Sequence, residues 1–348
     1  MPASPPTPTF SDAALRRLAR AILESAGTPP DLAAVVAESL VAANLAGHDS
    51  HGVLRLPSYV EFVRAGQVKP AARPSLRSRH GATAVVDGGW GWGQPAARHA
   101  ADMAMALAAE HGVGAVTVCC CNHIGRLGEY VESMTRAGMM GMALCNAGPV
   151  VAPYGGRDRR LGTNPFAWAA PTAAPERPLV LDIATAAVAE GKLRVAQAKG
   201  RAVEPGMLID AEGRPSTTPD DFYAGGALLP FGGHKGYAMS VMVELLGGAL
   251  SGAAPSCLPE YDDSNGTLMV AFNIAAFRPL EDVVDQFERF VGALKESRPA
   301  AGFDAVMLPG EPEAAARRQR LADGVPLPEQ TWRELAALAA SLGVSVEM

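Results

Sequence analysis

Apolar and polar positions recur along the chain with two different spacings, and these spacings predict which segments are strands and which are helices. Short apolar runs bounded by glycine or polar residues predict strands at 83–87, 115–121, 139–145, 179–182 and 267–272. Longer stretches with apolar positions three or four residues apart predict helices at 95–110, 127–136 and 235–249. Strands and helices that alternate in this way are typical of an α/β domain.

Both ends of the chain carry helical patterns without strands between them. Ser11 and Thr28 are predicted to cap the first two helices, and Pro57 to begin a third. Near the other end, apolar spacing predicts helices at 281–296, 311–322 and 329–341. We therefore predict a mixed α/β fold. Residues 1–75 and 280–348 would form a helical domain, and residues 76–279 an inserted α/β domain.

Composition narrows the class of protein. Hydrophobic residues make up 48% of the 348 residues, which is enough for a sizeable core. The formal net charge is −6 and the basic residues are scattered, so no nucleic-acid partner is expected. No window approaches the length of a membrane span, and the proline-rich residues 1–9 lack the apolar stretch of a signal peptide. These features predict a cytoplasmic protein with no membrane partner.

Three of the five cysteines are consecutive, at Cys119, Cys120 and Cys121. The run lacks the C-x-x-C spacing of common metal sites, and consecutive residues of a strand point to opposite faces. The cysteines are therefore predicted to be small core residues in a reducing compartment, without a metal ion.

The segment from Asn122 to Glu129 places a histidine, His123, where a predicted strand passes into a predicted helix. Loop residues held between rigid elements of an α/β scaffold often carry function. The alternative is a histidine that only caps the following helix. Position alone does not decide between the two interpretations.

A second polar segment contains His48, His51 and Arg55, spaced so that they would share one face of a helix. Pro57 and two nearby glycines argue against a continuous helix through all three. A histidine beside an arginine suits a carboxylate substrate, because the guanidinium binds the carboxylate with two hydrogen bonds while the imidazole exchanges a proton. A metal site at His48, Asp49 and His51, or a solvated loop, are the competing interpretations.

The common nucleotide-binding motifs are missing. No G-x-G-x-x-G turn joins a strand to a helix, and no G-x-x-x-x-G-K-[ST] occurs, which disfavours Rossmann and P-loop folds. Other segments carry weaker signals. Gly232, Gly233 and Lys235 at a helix start suit an anion, Asp182 ends an apolar strand, and Thr163 lies in a turn.

Taken in order, these segments resemble the second type of malate/L-lactate dehydrogenase family, which includes ureidoglycolate and sulfolactate dehydrogenases and Δ1-piperideine-2-carboxylate reductase. The resemblance covers residues from about 10 to 343. It rests on the segments Gly47-His48-Asp49-Ser50-His51-Gly52 with Arg55 and Tyr59, Asn122-His123-x-Gly125, Leu161-Gly162-Thr163-Asn164-Pro165, Leu181-Asp182-Ile183-Ala184-Thr185, Gly232-Gly233-His234-Lys235-Gly236-Tyr237 and Pro309-Gly310-Glu311.

The resemblance implies an oxidoreductase that uses NAD or NADP in a non-Rossmann fold and forms a homodimer. The implied reaction is hydride transfer between nicotinamide and C2 of a small 2-hydroxy or 2-oxo acid. The alternative is NADPH-dependent reduction of a cyclic 2-imino acid, and a catalytically silent binding protein is the other class. The family pattern leaves open whether NAD or NADP is used.

The resemblance also implies roles for individual residues. The acid/base is either His123 or a set of Ser50, His51 and Asp182, and the motif does not choose between them. Because adjacent residues usually point in different directions, a direct bond between Ser50 and His51 is not expected. The substrate would be bound by Arg55 and Thr163. The cofactor region would comprise Asn146, Asp182, Ile183, Ala184, Lys235, Pro309, Gly310 and Glu311.

Overall fold

The computed structural model describes residues 8–345. Its α-helices are α1 Asp12–Ser25, α2 Pro30–Leu45, α3 Leu56–Arg64, α4 Gly93–His111, α5 Gly128–Arg136, α6 Glu190–Ala198, α7 Pro219–Tyr223, α8 His234–Val243, α9 Leu280–Lys295, α10 Glu311–Asp323 and α11 Glu329–Ser341. Its strands are β1 Thr9–Phe10, β2 Ser75–His80, β3 Thr83–Asp87, β4 Val113–Cys119, β5 Met139–Cys145, β6 Phe166–Ala170, β7 Leu179–Ile183, β8 Leu208–Ile209, β9 Pro215–Ser216, β10 Ala227–Leu228, β11 Thr267–Asn273 and β12 Val325–Pro326.

A seven-stranded sheet in the order β2-β3-β4-β11-β5-β6-β7 forms the centre of the molecule. Only β3 and β4 are parallel neighbours in this sheet, and α4 connects them; the other neighbouring strands are antiparallel. The parallel register pairs Asp87 with Cys119, so both strands end at the same edge. The prediction of a mixed α/β fold is confirmed.

Three apolar clusters bury the faces of these elements. Alanines of α4 and large residues of α5, such as Tyr130 and Met134, cover one face of the sheet. Val243 of α8 packs with residues of β5, β6 and β11 on the other face. Residues of α1, α2, α3 and α11 form a separate helical core, so the two chain ends lie together, and β1 pairs with β12. No helix among the described residues is long and apolar enough to span a membrane.

Several local predictions need correction. Thr28 does not cap α2, because its hydroxyl oxygen accepts a hydrogen bond from Trp92 Nε1 at 3.1 Å, and the cap residue is Pro29. The strand predicted at 115–121 spans Val113–Cys119 and ends where Cys120 takes a positive φ of 49°. The helix predicted through residue 249 is α-helical only to Val243, and Glu244–Ala249 continues as a π-turn. Strand β2 was not predicted, because all six of its side chains are exposed and its sequence therefore has no apolar pattern.

Candidate active site

The loop that follows β4 is held by the loop that precedes α4. The Asn122 side chain donates hydrogen bonds to the carbonyl oxygens of Trp90, at 3.1 Å, and Gly91, at 2.8 Å. Gly93 lies so close that an added Cβ would be 2.3 Å from the carbonyl oxygens of both Asn122 and His123. Only glycine permits this approach, which fixes the backbone of His123.

His123 is held by a chain of buried polar groups. Its Nδ1 lies 2.8 Å from the hydroxyl of Tyr59, and that hydroxyl also accepts a hydrogen bond from Gln94 Nε2 at 2.8 Å. Tyr59 is on α3 and Gln94 is in the first turn of α4, so two helices orient the ring. Because Nδ1 is occupied, Nε2 is the nitrogen of His123 left for a ligand.

His51 lies beside His123 in a nearly parallel arrangement. The ring centroids are 5.5 Å apart and the planes differ by 22°. His51 Nδ1 is 3.0 Å from Ser50 Oγ, so the expectation that these adjacent residues would not bond is wrong. Residues Asp49–His51 form a 3-10 turn rather than a strand, and this turn lets both side chains point the same way.

Arg55 lies close enough to both histidines for its positive charge to act on them. Its Nε donates to the carbonyl oxygen of Ser50 at 2.7 Å, which fixes the guanidinium in place. Within residues 8–345, Arg55 forms no ion pair, so its two terminal nitrogens remain available. The helical spacing of His48, His51 and Arg55 does not correspond to one helix, because two 3-10 turns, Asp49–His51 and Val53–Arg55, precede α3. His48 points elsewhere, and its Nε2 is 3.2 Å from Glu313 on α10.

Burial and positive charge keep both imidazoles neutral. Burial, followed by the positive charge of Arg55, lowers the pKa of His51 to about 3. The same two causes, together with His51, hold the pKa of His123 well below its usual value. Burial raises the pKa of Tyr59 to about 12, so its hydroxyl stays protonated. The site therefore presents two neutral imidazoles and one guanidinium.

Asp182 ends up beside a buried arginine rather than a histidine. Its carboxylate is 3.3 Å from Arg126 Nε and accepts a hydrogen bond from Gly128 N at 2.7 Å. Arg126 also pairs with Glu132 at 2.5 Å. No hydrogen bond joins Asp182 to His51 or His123 in the described part of the chain. Burial raises the pKa of Asp182, although Arg126 opposes that effect.

Most of the predicted cofactor segments meet around β7. Thr185, just beyond Ile183 and Ala184, donates through its backbone to Thr163 O, and Thr185 O accepts from Phe231 N at 2.9 Å. This bond brings the start of α8, with exposed Lys235, to one end of β7. At the other end, Val180 N donates to Pro309 O at 3.2 Å. Gly310, with a φ of 90°, lies against Val180, and Glu311 pairs with Lys295 at 2.5 Å.

Asn146 is fully buried and its side chain is satisfied by protein groups. It donates to Glu244 at 3.0 Å and to the carbonyl oxygen of Ala254 at 2.9 Å, and it accepts from Gly266 N at 2.9 Å. Asn146 thus joins the π-turn after α8 to the loops that contain Ala254 and Gly266.

A cavity of about 600 Å³ opens next to His123. Its wall includes several residues without an assigned role in the sequence analysis: Tyr59, Lys69, Trp90, Trp92, Asn122, Asp262 and Asp263. Asn122 could have been found from its place beside His123, and Tyr59 from its place in the family pattern. Gln94 and Trp90 gave no signal, because their role depends on contacts between distant segments.

Residues 10–336 match the malate/L-lactate dehydrogenase family. The chain belongs to this family. It is 39% identical over 340 residues to an L-lactate dehydrogenase of Cupriavidus necator, a match that covers 95% of this chain and 97% of that enzyme. Members of the family are oxidoreductases, and so is this protein.

Solved structures of family members share the same fold. The structure of a malate dehydrogenase from Entamoeba histolytica superposes with a TM-score of 0.93 at 27% identity, covering 99% of this chain and 100% of that one. That of Δ1-piperideine-2-carboxylate reductase from Pseudomonas syringae has a TM-score of 0.84 at 31% identity, covering 96% and 100%.

Proposed function

We propose that this protein is an NAD- or NADP-dependent dehydrogenase that transfers a hydride between nicotinamide and C2 of a small 2-hydroxy or 2-oxo acid. The observation that carries the proposal is the cluster of Arg55, His51 and His123. A guanidinium without a carboxylate partner among the described residues lies beside two neutral imidazoles, one of which lines a cavity. Such a cluster suits a carboxylate with a neighbouring oxygen that gains or loses a proton.

Arg55 would bind the substrate carboxylate through its two terminal nitrogens. The bound negative charge would offset one cause of the low pKa of His123, so this imidazole would take up a proton more easily in the complex. The Tyr59 hydroxyl can donate to Nδ1 or accept from it, so it accommodates both protonation states. His123 Nε2 would then give a proton to the C2 oxygen during reduction and accept one during oxidation.

The other residues predicted from the sequence would position His123 and the substrate. Ser50 fixes the ring of His51, which would limit the rotation of the stacked His123. Asp182 would hold the loop after His123 through Arg126 and Gly128. Thr163 would contact substrate near the start of α8, and Asn146 would support that region from beneath.

The residues around β7 fit a dinucleotide. The start of α8 presents the exposed side chain of Lys235 at the positive end of the helix dipole, which suits a phosphate. Exposed Ile183 and half-buried Ala184 offer an apolar strand end, and the Pro309-Gly310-Glu311 turn borders the other end of β7. When bound, the nicotinamide supplies or accepts the hydride. Lys235→Ala should weaken cofactor binding measured by calorimetry, and Lys199→Ala, at the end of α6, should not.

We further propose a cytoplasmic homodimer. All five cysteines are free thiols, as expected in a reducing compartment. Apolar side chains that include Met242, Leu245 and Leu250 are exposed along α8 and the π-turn that follows it. Exposed apolar surface of this kind marks association. Sedimentation equilibrium should give twice the chain mass, and Met242→Asp should shift the protein toward the monomer.

The decisive experiment is an assay of 2-oxo acids, with cyclic imino acids alongside, using NADH and NADPH in turn. Loss of reduced-cofactor absorbance with a 2-oxo acid would support the proposal. Turnover of the imino acids alone would favour the alternative function, a cyclic imino acid reductase. The structural similarity to Δ1-piperideine-2-carboxylate reductase is the reason for testing it. Failure to bind either cofactor would rule out both and leave a silent binding protein.

A further inference from the structure

Two thiols and a carboxylate converge where β3 and β4 end side by side. The sulfur atoms of Cys119 and Cys120 and a carboxylate oxygen of Asp87 all lie within 4.8 Å of one another. The register of the parallel strands creates this arrangement, because Asp87 pairs with Cys119. Nothing in the proposed hydride transfer uses these three groups.

Adjacent cysteines face the same way here because the strand ends between them. Cys119 is the last residue of β4, and Cys120 has a φ of 49°, in the left-handed region that side chains rarely adopt. Two backbone bonds hold this conformation: Gly88 N donates to Cys119 O at 2.9 Å, and Trp90 N donates to Cys120 O at 2.8 Å. The expectation that the consecutive thiols point to opposite faces is therefore wrong for this pair.

We propose that Cys119, Cys120 and Asp87 bind a thiophilic divalent cation of the Zn²⁺ or Cd²⁺ type, with water as the fourth ligand. Thiolate sulfur and carboxylate oxygen are both zinc ligands, and four-coordinate geometry is the preferred one. The separations are short enough for one ion to reach all three groups. Cys120 and Asp87 are partly exposed, so the ion has a path from solvent.

The surroundings complete the site. Asp87 Oδ1 accepts a hydrogen bond from Gly89 N at 2.7 Å, which orients the carboxylate. Two thiolates and one carboxylate around a divalent cation leave one negative charge. Arg77, whose Nη1 is 3.5 Å from Cys119 Sγ, is placed to balance it. Binding releases one proton from each thiol to solvent and involves no change of oxidation state.

Metal binding here would stiffen one wall of the candidate active site. The ligands join the end of β3 to the end of β4, and Trp90, bonded to Cys120, lines the cavity. Asn122 and His123 follow only two and three residues after Cys120. The bound ion would therefore hold the loop that carries His123 without touching substrate.

The test is a titration of the reduced, metal-free full chain with Cd²⁺, followed by ultraviolet thiolate-to-metal absorbance and by calorimetry. We expect one ion per chain. Cys120→Ala should weaken binding by at least about 100-fold and Asp87→Asn by roughly 10- to 100-fold. Residues that only hydrogen-bond to metal ligands already contribute about 10- to 100-fold to affinity, so a direct ligand should contribute at least as much. Cys257→Ala, which removes an exposed thiol elsewhere, is the matched control and should leave binding unchanged.

Three results would overturn the site: no saturable binding by the wild type, unchanged binding by both Cys120→Ala and Asp87→Asn, or loss of binding only in Cys257→Ala. Thermal unfolding of each variant checks its folding. Because Asp87→Asn keeps the size of the side chain, it tests the site even if Cys120→Ala does not fold. None of these measurements depends on dehydrogenase activity, so the metal site and the proposed function can fail separately.

Discussion

The two histidines of the candidate site differ in position: one would react with substrate, and the other would hold the first in place. His123 lines the cavity, whereas His51 does not. Each histidine has its Nδ1 engaged, one by Tyr59 and the other by Ser50. This difference in position, rather than any difference in residue type, is why we propose His123 as the acid/base.

Replacing Arg55 by lysine should lower kcat/KM for a carboxylate substrate by roughly tenfold or more. Lysine keeps the charge but loses the planar fork that binds a carboxylate with two hydrogen bonds. It also loses the bond to Ser50 O that fixes the guanidinium. Steady-state kinetics measure the change, with Arg64→Lys on the exposed surface of α3 as the control. Equal kinetics in Arg55→Lys and the wild type would remove Arg55 from the site.

Replacing Tyr59 by phenylalanine should lower kcat for reduction by roughly tenfold to a hundredfold. A hydrogen bond to a charged group contributes about 1.5–3 kcal/mol, and protonated His123 would lose its Nδ1 partner. The pKa of His123 should therefore fall further, and the alkaline limb of the kcat profile should move to lower pH. The cofactor affinity should not change. Tyr223→Phe, at an exposed tyrosine of α7, is the control; an unmoved pH profile in Tyr59→Phe would contradict the positioning role.

At the scale of elements, the site depends on how the ends of α3, β4 and α4 pack. No one of these elements contains the site: α3 provides Tyr59, the loop after β4 provides His123, and the first turn of α4 provides Gln94 and Gly93. The close contact of Gly93 with the His123 backbone sets the distance between the last two.

Replacing Gly93 by alanine should displace the His123 loop and reduce kcat by roughly tenfold or more, because a misplacement of about 1 Å can cost a hundredfold. The added Cβ would meet two carbonyl oxygens at 2.3 Å, and backbone atoms cannot move aside easily. Gly292→Ala in α9 is the control, since its Cβ would meet nothing within 4 Å. Wild-type activity in Gly93→Ala would show that the contact does not position His123.

At the scale of the whole molecule, burying neutral histidines links stability to pH. The folded-state pKa of His51 is about 3, below the usual value of 6.5. Below pH 6.5 the unfolded chain therefore binds a proton that the folded chain does not. The contribution of neutral His51 to the free energy of unfolding is fully present above pH 6.5. It is lost progressively as the pH falls toward 3, at up to roughly 1.4 kcal/mol per pH unit.

We expect this loss to appear in denaturant unfolding measured at pH values on both sides of 6.5. His51→Gln should flatten the slope, because glutamine does not titrate, and His80→Gln on exposed β2 should not. The raised pKa of Asp182 acts in the opposite direction, since its folded state binds a proton more readily. This effect of Asp182 is the same in the wild type, His51→Gln and His80→Gln. A pH slope that His51→Gln leaves unchanged would therefore contradict a role for buried His51 in the pH dependence of stability.

Local patterns determined much of the architecture. Alternating apolar runs gave the strands around β3, β5, β7 and β11, because an apolar face must be buried whatever it packs against. Serine at a helix end gave the start of α1, where Ser11 accepts a hydrogen bond from Ala14 N, since caps act within a few residues. The class of the fold and the family followed from these patterns and from the order of short motifs.

Contacts between distant segments decided the rest. The sequence by itself determined that His51, Arg55, His123 and Asp182 are candidates for chemistry. Only the tertiary structure stacked His51 on His123, placed Asp182 against Arg126, and used the Gln94 and Tyr59 side chains to orient the proposed acid/base. It also turned Cys119 and Cys120 toward Asp87. Residue type and local spacing carry the chemistry a side chain can perform, but a hydrogen bond between residues 59 and 123 depends on how α3 packs against the end of β4, which neither segment encodes alone.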